Sequence, residues 1–307
     1  MKFLTLLVGC FMVYASNELP NFDKMWNYRN PAETEARFRE ILPEAEKSGN
    51  KDYYLQLLTQ IARTQSLQSK FAKAHAILDT VEVKIGPDTP VAEVRYLLER
   101  GRTFNSSKKP DLALPLFLKA VDLGIATKQD GYVVDAYHMV AIAEPDIKKQ
   151  LEWNLKALEF AEKSQDPGAR SWLGSLYNNI GYTYIQLNDY KAALSVLQKQ
   201  VEYYDRLLPQ NRYEHQVARW FVARALRGLE RNVEALEILR RLEAEFAADS
   251  APDGYVFEEI AENLLVLNHT QEAKKYFGFA YDELTKSDGL IDGDEVRTKR
   301  VKELGGR

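Results

Sequence analysis

The residues of this chain best suited to proton transfer are Glu99 and His138, and those best suited to hold an anion are arginines, Arg102 and Arg224 among them. Brought together, they would form an acid-base site on an anionic substrate. The spacing offers no denser chemistry. The four histidines, His75, His138, His215 and His269, stand 54 to 77 residues apart, and no two share a helix face as metal ligands would. The single cysteine, Cys10, falls in the first segment, so the body of the chain can carry neither a disulfide framework nor a cysteine metal site. There is no nucleophile elbow, phosphate loop or metal-ligand cluster. A chain of this kind is expected to bind rather than to catalyse, without metal or cofactor. Catalysis by Glu99 or His138 on an anionic or peptide substrate is the alternative.

Composition narrows the partner. With 307 residues, 45% of them hydrophobic and 28% charged, the chain can bury a large core. Its formal net charge is −4 and its basic residues are spread along the whole length, so it lacks the concentrated positive field that nucleic acid or an anionic bilayer would require. The N-terminus is different. Met1-Lys2 supplies positive charge, Phe3 to Tyr14 is an apolar run of twelve, and Val13-Tyr14-Ala15 offers small residues for a signal peptidase. Residues 1–15 therefore read as a short signal peptide, which predicts a periplasmic or extracellular protein. Leu7-Val8-Gly9-Cys10 also looks like a bacterial lipobox, behind an unusually brief apolar stretch. The alternative is an apolar segment on a cytoplasmic protein. Twelve apolar residues are too few for a stable span, so membrane association would come only through such an N-terminal anchor.

The elements that must position these residues repeat. Tyr177-x-x-Ile180-Gly181-x-x-Tyr184 is followed by Tyr190-x-x-Ala193-x-x-x-Leu197, and the small pair recurs with a separation of 12: Ala62 with Ala74, Gly101 with Ala113, Gly181 with Ala193, Ala223 with Ala235, Ala261 with Ala273. Small residues at such offsets let two helices of a hairpin approach closely. Four residues after each second member stands a large apolar residue, respectively Leu78, Phe117, Leu197, Leu239 and Phe277, one turn along the same face. The first-helix anchors, Ala62, Gly101, Ala141, Gly181, Ala223 and Ala261, recur at 38 to 42 residues. The Ala141 unit departs from the pattern, with Trp153 at the second position and Pro145 in the turn, which predicts a re-registered hairpin. Pro115 should disturb the first turns of its helix.

This pattern resembles the tetratricopeptide repeat, with Tyr177 where Trp is usual, Ile180 for Leu and Leu197 for the final Phe. The resemblance implies an all-α fold, a right-handed α-α superhelix of about six hairpins over residues 51–285. The period exceeds the family's by several residues, which predicts a longer second helix or a longer loop after it, as in Val201 to Leu208 before Pro209. Residues 16–50 are expected to supply an N-terminal capping helix opened by Asn30-Pro31, and residues 286–307 a C-terminal one opened by Asp294-Glu295. Gly86-Pro87, Asp166-Pro167-Gly168, Pro209-Gln210-Asn211 and Pro252-Asp253-Gly254 punctuate the units, and no linker is long enough to separate domains.

In that family the first helix of each hairpin lines a concave groove. Carried onto this sequence, the geometry nominates Thr59, Gln60 and Arg63; Arg95, Glu99, Arg102 and Asn105; Asp135 and His138; Asn178, Asn179 and Tyr182; Trp220, Arg224 and Arg227; and Glu258, Glu259 and Glu262. Arginine forks a carboxylate or phosphate and asparagine pairs with a peptide backbone, so the resemblance implies a non-catalytic scaffold for a protein or extended peptide. The arginines of the middle units would favour an acidic or phosphate-bearing segment and the last three glutamates its basic end. Asn179 stands where carboxylate-clamp members keep an Asn, but the neighbouring units lack the rest of such a clamp. The long period is similar to that of peptide-sensing bacterial regulators, without their N-terminal output region. A third possibility is an array that self-associates.

Overall fold

The structure, a computed structural model, describes residues 19–286 and 289–307. The predicted signal segment and Cys10 lie outside them. The chain divides into two compact units, Met1–Ala113 and Leu114–Arg307, with the boundary inside a helix rather than in a linker.

The first unit begins with a single 3-10 turn, Phe22–Met25, and continues as α1 (Pro31–Lys47), α2 (Lys51–Leu67), α3 (Phe71–Glu82) and α4 (Pro90–Ser106). α1 starts as expected from Asn30-Pro31: the Asn30 side chain accepts from the Glu33 amide, and Pro31 takes the first helical position, where its missing N–H costs nothing. Asn50 caps α2 in the same way through the Tyr53 amide. α2 packs on α1, α3 and α4, with Ala62, Ala74 and Leu78 buried completely.

α5 (Pro110–Ala126) carries the boundary. It runs unbroken through Pro115, contrary to the expected disturbance. The proline sits one turn in and removes a single hydrogen bond, the one that would reach the carbonyl of Asp111.

The second unit continues with α6 (Asp130–Ala143), α7 (Ile147–Lys163), the four-residue α8 (Pro167–Arg170), α9 (Leu173–Gln186), α10 (Tyr190–Leu207), α11 (Arg212–Gly228), α12 (Asn232–Ala248), α13 (Gly254–Val266), α14 (Thr270–Leu284) and α15 (Glu295–Gly305). Each of the pairs α6–α7, α9–α10, α11–α12 and α13–α14 is a hairpin, and first helices also touch, α9 on α11 and α11 on α13. α10, Tyr190–Leu207, runs for 18 residues, so at Val201 to Leu207 the extra length goes into the helix rather than the loop. Over Gly181 sits Leu197, the large residue one turn past Ala193, and both small residues are buried.

The turns follow one rule. Seven residues after each of five anchors the chain enters the left-handed region: Ser69, Lys108, Asn188, Glu230 and Asn268, with φ between 58° and 63°. The next amide closes a six-residue ring, as Lys70 N–H does to Gln65 O and Asp189 N–H to Tyr184 O, both at 2.9 Å. This is the Schellman termination, satisfying carbonyls that the helix end would orphan. The Ala141 unit lacks it, and its turn is built around Pro145 instead. Glu144, held extended before Pro145, ends α6, and Asp146 starts α7 by accepting from the Lys148 and Lys149 amides.

Candidate binding cleft

In the first unit three of the nominated residues, Gln60, Arg63 and Arg95, are already engaged by the chain's own N-terminal segment. Phe22 is buried, meeting Tyr53 at 5.1 Å and Phe38 at 6.2 Å between ring centroids. The Trp26 indole donates to Gln60 Oε1 at 3.1 Å, and the Arg63 guanidinium lies over the stacked rings of Trp26 and Tyr28. Arg95 donates to Asp23 at 2.5 Å with its guanidinium over Phe22. Thr59, Gln60, Arg95 and Glu99 are buried. Glu99, the candidate acid-base residue, accepts from Arg63 at 3.0 Å and from Arg102 at 2.8 Å, so its carboxylate is committed to two guanidinium groups. Asn105 is half-buried in the last turn of α4, its carbonyl accepting from Lys108. Glu99 belongs to the first unit and His138 to the second.

In the second unit α9, α11 and α13 place seven of the nominated residues, Tyr182, Trp220, Arg224, Arg227, Glu258, Glu259 and Glu262, around one cleft of about 630 Å³. Tyr190, Phe221, Tyr255, Asp292 and Arg297 add to its charged and aromatic wall. Asp253 caps α13 through the Tyr255 and Val256 amides and so fixes the helix that carries the three glutamates. The charges foreseen on separate stretches of the groove face each other here. Glu259, buried, accepts from Arg227. Glu258 is gripped by Arg297, and Glu262 by Arg300 at 3.0 Å. Burial alone would lower the Arg227 pKa, but the Glu259 carboxylate outweighs it and raises it. Tyr255 donates to Asp292 at 2.5 Å; that bond, with burial, pushes the phenol up to about 12.

Arg224 is held differently. Its guanidinium lies over the Trp220 ring, 4.9 Å from the centroid, and its Nε is 3.8 Å from Glu259, beyond hydrogen-bond distance. Trp220 is half-buried against Phe221 and Tyr255, and its indole donates to the Tyr255 carbonyl at 3.1 Å. The cleft thus offers aromatic faces beside a cation whose neighbouring carboxylate is already shared with Arg227.

The remaining nominated residues lie apart from the cleft. Asn178 and Asn179 line a hollow of about 250 Å³ with Gln200, Tyr204 and Tyr213. Asn179 Nδ2 is also 3.5 Å from the His138 ring nitrogen, and that ring packs on Trp172. Asp135 is half-buried on α6. Tyr204, Tyr276 and Phe277, all on second helices, are core residues.

Some cleft residues escaped the sequence reading. Tyr255 stands six before its anchor Ala261, the offset at which Arg95 precedes Gly101, so the register contained a signal for it. Phe221, two before Ala223, occupies the offset of Gln60 and Glu99. Asp292 and Arg297 follow the last hairpin, and nothing local marks them.

A family model described as tetratricopeptide repeat matches residues 174–205, the span of α9 and α10. Among solved structures, the apo form of RapI superposes with a TM-score of 0.70 at 14% identity, over 92% of this chain and 84% of that one. A signal-transduction ATPase from Pyrococcus horikoshii with a tetratricopeptide-repeat sensor gives 0.65 at 14% identity, over 91% of this chain and 44% of that one. NprR in complex with its cognate peptide NprX gives 0.50 at 15% identity, over 92% and 82%. Comparison with curated protein sequences returned no significant match. The hairpins, their anchors and these likenesses agree on an all-α fold of the tetratricopeptide-repeat type.

Proposed function

We propose that this chain of tetratricopeptide-repeat fold is a non-catalytic binding scaffold, and that the cleft of its second unit holds a peptide segment of a partner protein. The observation that carries this is Arg224. It lies on Trp220 at the edge of an open cleft, its closest carboxylate already shared, which leaves it suited to a carboxylate or phosphate next to an apolar side chain. NprR, of similar fold, is known with a bound peptide, which supports the same kind of ligand here. The three glutamates are satisfied by arginines of this chain and are not assigned the basic end of a peptide.

A labelled peptide panel, with acidic, phosphorylated and basic segments each carrying an aromatic residue, tests the proposal. Acidic or phosphorylated members should bind, with at least about tenfold loss for Trp220→Ala combined with Arg224→Ala, the order of one lost hot-spot pair. Equal binding of every peptide by the variant and the wild type would reject the cleft as the site. Export through residues 1–15 is proposed beside this; the N-terminal sequence of the mature protein decides it.

A further inference from the structure

The tetratricopeptide register allows the two units to be compared position by position. In α11 and α13 of the second unit, the residues two before and one after the anchor, Phe221 with Arg224 and Glu259 with Glu262, line an open cleft. The same positions in α2 are Gln60 and Arg63, and there the cleft-facing groups are covered: Gln60 by the Trp26 indole, Arg63 by the rings of Trp26 and Tyr28. The position six before the anchor repeats the contrast. Tyr255 faces the open cleft, whereas Arg95 is closed off by Asp23 and Phe22.

The covering segment is held the way a bound peptide is held. Its main chain is tied at its start, where the Tyr53 hydroxyl donates to Pro20 O at 2.6 Å, and at its end, where the Asn27 amide donates to Thr34 Oγ1. Between those points the grip is by side chains: Phe22 buried in an aromatic pocket, Asp23 on a guanidinium, Trp26 on a carboxamide. An apolar anchor in a pocket with polar contacts that fix its register is how grooves read extended segments.

We propose that residues 20–28 are an internal ligand of the first unit, occupying a second binding face on α2 and α4 that accepts an external segment of the same chemistry when they leave. That chemistry is an aromatic residue followed directly by an acid, with a second aromatic three residues beyond the acid, as in Phe22-Asp23-Lys24-Met25-Trp26. The proposal rests on reading the anchor-flanking positions as ligand-facing. Its outcome does not depend on Trp220 or Arg224.

The test uses the full chain and a fluorescent peptide of residues 19–29, followed by anisotropy. Asp23 is half-exposed, so Asp23→Arg sets a cation against Arg95 and weakens the internal copy without opening the core. The variant should bind the wild-type peptide at least tenfold more tightly than the wild-type chain does. A peptide carrying the same Asp23→Arg change should lose that binding. Equal, weak binding by both chains, with unchanged circular dichroism, would overturn the proposal. Phe22→Ala combined with Trp26→Ala provides the second arm. If that chain stays folded, it should capture the added peptide. If it unfolds, or folds and does not bind, the segment is a fixed part of the core and the proposal fails. Combining Trp220→Ala and Arg224→Ala with Asp23→Arg should leave this binding intact, which separates its failure from that of the second-unit site.

Discussion

Leu197 of α10 packs onto the backbone of Gly181 of α9 so closely that a Cβ on the glycine would stand 2.5 Å from the leucine Cγ. Both residues are buried, and the leucine is enclosed by the main hydrophobic core of the second unit. Neither helix can yield without disturbing the helices packed beyond it.

Gly181→Ala should therefore cost about 1–3 kcal/mol, the usual range for overpacking, and Gly181→Leu more. Thermal or urea denaturation measures it. Removing Leu197 as well should restore part of the loss, so a double-mutant cycle with Leu197→Ala should show strong non-additivity. A Gly181→Ala protein that melts with the wild type would mean that the two helices do not cross here.

His75 makes stability in the first unit depend on pH. Burial, and then the Arg100 guanidinium whose Nη1 lies 3.0 Å from the His75 ring nitrogen, hold its pKa below the ordinary 6.5. The unfolded chain then takes up the proton more readily than the folded one. The contribution is complete above that ordinary value and is lost as the pH falls through it toward the lower folded pKa. The urea midpoint should drop between about pH 7.5 and pH 5.5, and drop less in His75→Gln, which removes the titrating ring. An identical drop in both proteins would assign the effect to other groups.

Tyr255 titrates as it does because of Asp292. With that bond the phenol ionises at about 12. In Asp292→Asn the charge is gone, and Tyr255 should lose its proton closer to the ordinary value of about 10. A titration followed by NMR of ring-labelled tyrosine resolves this residue from the others. No change on substitution would show that burial alone sets the value.

Much of the fold could be read from the sequence because packing constraints leave local marks. Gly181 and its counterparts had to be small, and Leu197 and its counterparts large, so a spacing of 12 and then four was visible without any structure. The turns were less legible. Ser69, Lys108 and Glu230 occupy the left-handed position where glycine is the usual cue, and the hydrogen bonds that stabilise them belong to the backbone. The site was legible in part for a related reason. The register marks which face a residue is on, but not what covers that face. Arg63 and Arg224 each stand one residue after an anchor, yet one lies under Trp26 and Tyr28 and the other borders an open cleft. Asp23, Asp292 and Arg297 reach their partners from outside the hairpins, where no periodicity applies.

The left-handed turn residues have a consequence for how such a chain can change over time. Hairpin geometry is enforced at Ser69, Lys108, Asn188, Glu230 and Asn268, at the ends of the first helices, whereas the cleft-facing side chains Phe221, Arg224, Glu259 and Glu262 stand well inside theirs. Selection on scaffold and selection on ligand thus act on largely separate sets of codons. A lineage could exchange one partner for another by rewriting cleft positions while the turns hold the architecture constant, and drift in the turns would erode thermal tolerance before it altered specificity.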